Sequence, residues 1–201
     1  GFDAELAEQV CEKLGVKCEF LVLGDWGKKF YELETKNIDA IWNGMTITDE
    51  VKLNASVSNP YVKNAQVVVM NKLSAPDYDA IELLRTLTFA VEAGSAGEAE
   101  LKAMDITDYT AVQSQSSALM EVAAGTANAC VIDITMANAM TGEGTGYPDL
   151  AIACELSSEE YGIGFRKDSD VTAKVNELLQ AMKADGSLQA LADKYSLTLA
   201  D

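Results

Sequence analysis

Histidine is absent from this chain of 201 residues. That absence excludes His-based general acid–base catalysis, Ser-His-Asp and Cys-His nucleophiles, and most zinc sites from within the chain. Cysteine is scarce, and Cys11, Cys18, Cys130 and Cys154 show no CxxC spacing, so no structural zinc site or other metal centre is expected. Each reads as a small apolar thiol, while Cys11–Cys18 and Cys130–Cys154 stay open as disulfide pairs. No stretch approaches the roughly 20 apolar residues that span a bilayer. The chain begins at Gly1 with neither methionine nor a charged-then-apolar leader, and so reads as a mature or truncated product. Basic residues are few: 15 against 32 acidic ones, a net charge of −17. Such a surface repels nucleic acid and anionic membrane and gives no positive clue to a partner.

Apolar residues make up 48% of the chain, enough for a real core in one domain or two small lobes. The organising stretch runs from Asp39 to Glu50, an apolar strand leading through Gly44 and Thr46 to a helix start at Thr48. It puts free backbone groups and a hydroxyl at a strand's carboxyl end, where open α/β sheets bind small molecules. Before it, helical spacing predicts a helix over 4–14 with Asp3 as N-cap and Gly15 as stop. A strand over 16–23, a helix from Asp25-Trp26 to near Asn37 and a strand over 38–42 follow. This α-β-α-β order calls for a parallel sheet that is one strand short, because the chain starts with a helix.

Further on, 48–54 reads as a short helix and 66–71 as a buried strand leaving the first lobe. A second α/β run has a helix from Tyr78 through Leu84, strands over 87–91, 109–112, 128–132 and 150–154, and helices over 116–124 and 134–140. Ser95 and Glu98 form a capping box for a helix to about Ala103. A second crossing strand is expected over 161–166, then two amphipathic helices with no strand after them. Two extended connections around an inserted run suggest a discontinuous lobe 1 (1–70 and 166–201) and an inserted lobe 2 (71–165), and ligands favour clefts between such lobes.

Several motifs together resemble a known family. They are Gly1-Phe2-Asp3, Trp26, Asp39-Ala40-Ile41, Gly44-Met45-Thr46-Ile47-Thr48, Ser58 with Pro60-Tyr61, Ala93-Gly94-Ser95, 127–133 and Tyr161-Gly162-Ile163-Gly164-Phe165-Arg166-Lys167. In this order, over essentially the whole chain, they look like the bacterial extracytoplasmic solute-binding proteins of family 3, which serve polar amino acids. The resemblance implies an α/β, two-lobe periplasmic-binding-protein fold of type II with two hinge strands. It also implies that lobe 1 lacks its usual first strand, which would lie just before Gly1.

The same resemblance assigns a binding site. Trp26 would stack on the ligand's side chain, an indole face suiting apolar and cationic groups; a core tryptophan is the alternative. Asn43, Gly44 and Thr46 would hold an ammonium through oxygen atoms, against a local hydroxyl–backbone bond for Thr46. Asp133 would pair with the α-ammonium, against a helix-capping role. Ser95, Ala96 and Gly97 would offer helix-start amides to a carboxylate, against an ordinary capped start. Position 51, where the family carries a forked arginine for the α-carboxylate, is Val51, and an isopropyl group cannot replace that fork. Glu92 near the same cleft, if not a solvated surface charge, tilts the ligand toward a cation or an amine.

The implied function is an extracytoplasmic binding protein, periplasmic or lipid-anchored. It would capture a small amino acid or amine between two lobes and deliver it to the permease of an ABC importer, as a monomer without cofactor or catalysis. A sensory ectodomain would use the same site. Relatives of this fold that dehydrate cyclohexadienyl acids form the enzyme alternative, to which a site without arginine at position 51 is poorly suited.

Overall fold

A computed structural model describes residues 1–201. The chain forms two units, Gly1–Lys63 with Glu159–Asp201, and Asn64–Ser158. It passes between them at 63/64 and 158/159, where the sequence reading drew the crossings at 70/71 and 165/166.

In the first unit, α1 (Phe2–Leu14) carries acidic Asp3 and Glu5 in its first turn, which suits the helix dipole, and ends at Gly15 with φ 72°. Its N-cap is Gly1 rather than Asp3. The Asp3 carboxylate instead accepts from the Gly44 N–H at 2.7 Å and the Tyr61 hydroxyl at 2.5 Å. Residues 16–23 form no strand, and Val16, Phe20, Leu21 and Val22 are 56%, 58%, 61% and 93% exposed. Strand propensity without a hydrogen-bonding neighbour does not make a strand. A 3-10 turn capped by Asp25 leads into α2 (Lys29–Glu34). Then come β1 (Ala40–Ile41), α3 (Asp49–Asn54), β2 (Ser56–Val57) and the start of β3 (Val62–Asn71). Thr48 caps α3 by accepting from the Val51 N–H at 3.1 Å.

The second unit takes over at Asn64 within β3. Two 3-10 segments, Ala75–Tyr78 and Ile81–Thr86, stand where one helix through Leu84 was expected; the first carries Pro76 in its opening turn, which fits such a turn start. β4 (Phe89–Glu92), α4 (Ala96–Ala103), β5 (Tyr109–Val112), α5 (Gln115–Ala123), β6 (Ala129–Asp133), α6 (Ile134–Met140) and β7 (Leu150–Tyr161) follow. The strands lie in the order β5-β4-β6-β3-β7. β4 is parallel to both β5 and β6, whereas β3 runs antiparallel to β6. The unbroken apolar run of β3 is explained by cover on both faces. Val67 and Val69 join Cys130, Ile132 and residues of α5 in one cluster; Val68 and Met70 join Phe89, Val131 and Leu101 in the other. Gly97 lets the first turn of α4 press on this sheet. A Cβ there would lie 3.0 Å from Val131 Cγ1, 3.1 Å from the Val131 carbonyl oxygen and 3.2 Å from Gln66 Oε1.

Back in the first unit come β8 (Gly164–Phe165), α7 (Val171–Ala184), α8 (Ser187–Lys194) and β9 (Thr198–Leu199). The strand expected at 150–154 is thus a twelve-residue β7, and that expected at 161–166 shrinks to β8. The first unit's sheet, β1-β8-β2, is antiparallel at both pairings and not parallel as the α-β-α-β order suggested. Its central strand returns from the far end of the chain, which a local reading cannot foresee. A strand does follow the last helices: β9 pairs with Val62 and Lys63 of β3. Phe2, Leu6, Val10, Tyr61, Val175, Met182 and Leu188 form the main core of this unit. Glu5 ties α1 to Lys194 at 2.7 Å and to the Tyr195 hydroxyl, and those bonds, Lys194 first, lower the Glu5 pKa.

All four thiols are free. Burial pushes Cys130 up to about 12. It also pushes Cys11 up to about 11, with Cys18 as hydrogen-bonded neighbour the next cause.

Two stability measurements follow from these contacts. Burial, and after it the Asp3 carboxylate, raise the Tyr61 phenol well above its usual value. The folded state therefore holds Tyr61 neutral, and its contribution is complete below the unfolded phenol's pKa of about 10 and is lost as pH rises beyond it. Urea unfolding between pH 9 and 11 is expected to show that loss, and Tyr61→Phe to flatten it; an unchanged slope in the variant contradicts the account. Gly97→Ala meets a backbone carbonyl that cannot move aside, and is expected to lower unfolding stability by about 1–3 kcal/mol.

Candidate functional site

Three parallel strands of the second unit, β4, β5 and β6, end on one edge of their sheet. The carboxyl ends of parallel strands are where α/β sheets leave room for ligands. Half-buried Glu92 closes β4, and Ser95 starts the helix after it. Ser114 and Gln115 start the helix after β5, and half-buried Asp133 closes β6.

Asp133 follows the apolar Cys130-Val131-Ile132, where an unpaired charge would be costly. Although it stands at the N-cap of α6, its side chain makes no capping bond, so the capping alternative fails. Side-chain amides hold the carboxylate instead. Oδ1 accepts from Gln66 Nε2 at 2.5 Å and Asn64 Nδ2 at 3.3 Å, and Oδ2 accepts from Gln115 Nε2 at 2.8 Å. The Asp133 N–H donates to Gln115 Oε1 at 2.9 Å. Gln66 is the direct cross-strand partner of Asp133, which is why its side chain reaches the carboxylate. Asn64, itself bonded by the Thr135 hydroxyl at 3.4 Å, lies two residues earlier on the same strand.

Ser95 caps α4 by accepting from the Glu98 N–H at 3.2 Å. The expected capping box is incomplete: Glu98 reaches the Gly94 N–H at 3.4 Å, while the Ser95 N–H goes to the Glu92 carbonyl. The amides of Ala96 and Gly97 occupy the first positions of α4, where N–H groups have no partner inside the helix and the dipole favours an anion. Gln66 joins the two features, since the amide that donates to Asp133 also carries an oxygen that would lie 3.2 Å from a Cβ at Gly97.

The remaining sequence-chosen residues belong to the first unit. Asn43 is exposed; Gly44, at φ 58° beside the Tyr161 ring, is held by Asp3. The Thr46 hydroxyl donates to the Glu159 carboxylate at 2.9 Å, so the local hydroxyl–backbone alternative fails. Val51 is 5% exposed and packs with Leu33, Ile41, Met45 and Ala55. It gives the loop an apolar anchor and no polar group. Trp26 is half-buried against that cluster, with the ammonium of buried Lys29 at 4.9 Å from its ring centroid. A shallow cavity of about 410 Å³ beside α3 is lined by Ile47, Lys52, Val57, Asn59 and Glu160 among others.

Sequence reasoning missed Asn64, Gln66, Gln115 and Glu159. The signal for Gln66 was present: a glutamine opening the run Val67-Val68-Val69 must find a buried partner. Gln115 and Glu159 act through contacts 18 and 113 residues away, which leave no local trace.

The family model for bacterial extracellular solute-binding proteins, family 3, matches residues 1–198. An L-arginine-binding protein of Pseudomonas aeruginosa is 31% identical over 97% of this chain and 78% of its own length. Among solved structures, a mutant of ArgBP from T. maritima has a TM-score of 0.89 at 34% identity, covering 97% of this chain and 84% of that one. An ancestral amino acid-binding protein described as a precursor of cyclohexadienyl dehydratase has a TM-score of 0.87 at 29% identity, covering 97% and 85%. Sequence motifs, the two α/β units and these likenesses agree on the type II periplasmic-binding-protein fold, and the chain belongs to the bacterial extracellular solute-binding proteins, family 3.

Proposed function

We propose that this chain captures a small amino acid or amine outside the cytoplasm and delivers it to the permease of an ABC importer, acting as a monomeric carrier and not as an enzyme. The observation that carries the reading is the edge of the second unit's sheet. There a carboxylate, Asp133, is oriented by side-chain amides, and one of those amides, Gln66, adjoins the helix start at Ser95, Ala96 and Gly97. An α-amino acid needs that pair of groups, an anion for its ammonium and N–H donors for its carboxylate. Asp133 takes the ammonium, and the amides of Ala96 and Gly97 with Ser95 take the carboxylate. Glu92 at the same edge, and Val51 in place of a guanidinium, favour a ligand whose positive charge exceeds its negative. The arginine-binding relative makes L-arginine the first probe.

Catalysis is a poorer fit. The chain has no histidine, the commonest proton-transfer group, and the acid at this edge is engaged by three side-chain amides.

A thermal-shift panel of amino acids, amines and polyamines tests the reading. Ligand at a hundred times its dissociation constant stabilises the folded chain by about 2.7 kcal/mol, a rise of several degrees in Tm. L-Arginine is expected to give such a rise and Asp133→Asn to abolish it. No shift with any member of the panel counts against the proposal.

A further inference from the structure

We infer that Gln115 is a positioning residue for Asp133, one that sets the direction in which the carboxylate meets a ligand's ammonium. The inference rests on the proposed role of Asp133. Gln66 and Asn64 both reach Oδ1, and two donors on a single oxygen leave the carboxylate able to pivot about it. Gln115 binds the other oxygen, Oδ2, and stops the pivot. The oxygen of the same amide accepts the Asp133 N–H at 2.9 Å, so one side chain grips both the backbone and the carboxylate of Asp133. Each bond fixes the rotamer that the other needs.

The grip comes from a different element than the other two donors. Asn64 and Gln66 ride on β3, while Gln115 is the first residue of α5, in a turn secured by the Ser114 hydroxyl accepting from the Ser117 N–H at 3.0 Å. Donors on two independent elements hold the group against rotation. All three are neutral amides, so these bonds orient the carboxylate without cancelling its charge. A binding group held by a rigid supporting shell loses less freedom when its ligand arrives.

Calorimetric titration of the wild-type chain, Gln115→Met, Asp133→Asn and the double variant tests this. The probes are L-arginine and 5-guanidinopentanoic acid, which is arginine without its α-amino group. Gln115→Met keeps the side chain's size and is expected to weaken arginine binding about tenfold, the scale of one lost bond to a charged group. The analogue, which gives Asp133 nothing to pair with, is expected to bind within about twofold of wild type, and Gln115→Met to add nothing further in the Asp133→Asn background. A merely structural role would weaken both probes alike, and that result, or no change with either, overturns the inference while leaving Asp133's role intact. Equal wild-type affinity for the two probes, no binding of either, or an Asp133→Asn variant that binds arginine normally, overturns the role of Asp133 and the inference with it. If Gln115→Met does not fold, Gln115→Ala carries the same comparison.

Discussion

The bond between Gln66 and Asp133 is the constraint around which the second unit is arranged. Each residue adjoins a run of buried apolar side chains, Val67-Val68-Val69 in β3 and Cys130-Val131-Ile132 in β6, and a polar group in such a place must find its partner inside the protein. Their cross-strand register brings amide and carboxylate to 2.5 Å. A slip of one residue between β3 and β6 would leave the two side chains on opposite faces of the sheet. The pair therefore specifies a register that the runs of valine alone would leave ambiguous. It also places a charged group at the one edge of the sheet where three parallel strands end.

An analogous device organises the first unit. Asp3 turns away from its own helix start to receive the Gly44 N–H and the Tyr61 hydroxyl, so α1, the loop after β1 and the start of β3 meet at one carboxylate. Gly44 adopts φ 58°, where a side chain would be strained, and a Cβ there would lie 3.4 Å from the Tyr161 ring. The loop through Thr46 is further stitched to the end of β7 by the Ile47 N–H bond to the Glu160 carbonyl and by the Thr46–Glu159 bond. The loop that the family motif singles out is thus held by side chains more than by regular secondary structure. Its short flanking strands, two residues each, could not hold it alone.

Much of this was legible in the sequence. Helix limits at Gly15, caps at Thr48 and Ser95, and the apolar run of β3 are local signals, and local physics produces them. Non-local pairing was not legible. β8 enters the first unit's sheet from more than 100 residues away, which no periodicity announces. Residues 16–23 carry a strand's composition yet form none, because composition cannot supply a neighbouring strand. Asp3 looked like a cap because aspartate near a helix start usually is one; the demand of two donors from other parts of the chain outweighed that preference. The company of Asp133 was not legible: the fold brings an amide from α5 and two from β3 to a carboxylate whose neighbours in sequence are apolar.

The valine at position 51 then takes on a physical meaning. Its side chain completes an apolar cluster with Leu33, Ile41, Met45 and Ala55, so the first unit gains packing where a forked guanidinium would have to emerge into solvent. On the proposed reading, a ligand's carboxylate is left to helix-start amides, which offer partial charges, while its ammonium meets the full charge of Asp133. Partial charges at a helix start are worth roughly 0.3–1 kcal/mol each at exposed sites, whereas hydrogen bonds to a full charge contribute roughly 1.5–3 kcal/mol. The balance of recognition shifts from the anionic to the cationic end of the ligand. A site built in this way discriminates more strongly against loss of the amine than against loss of the acid.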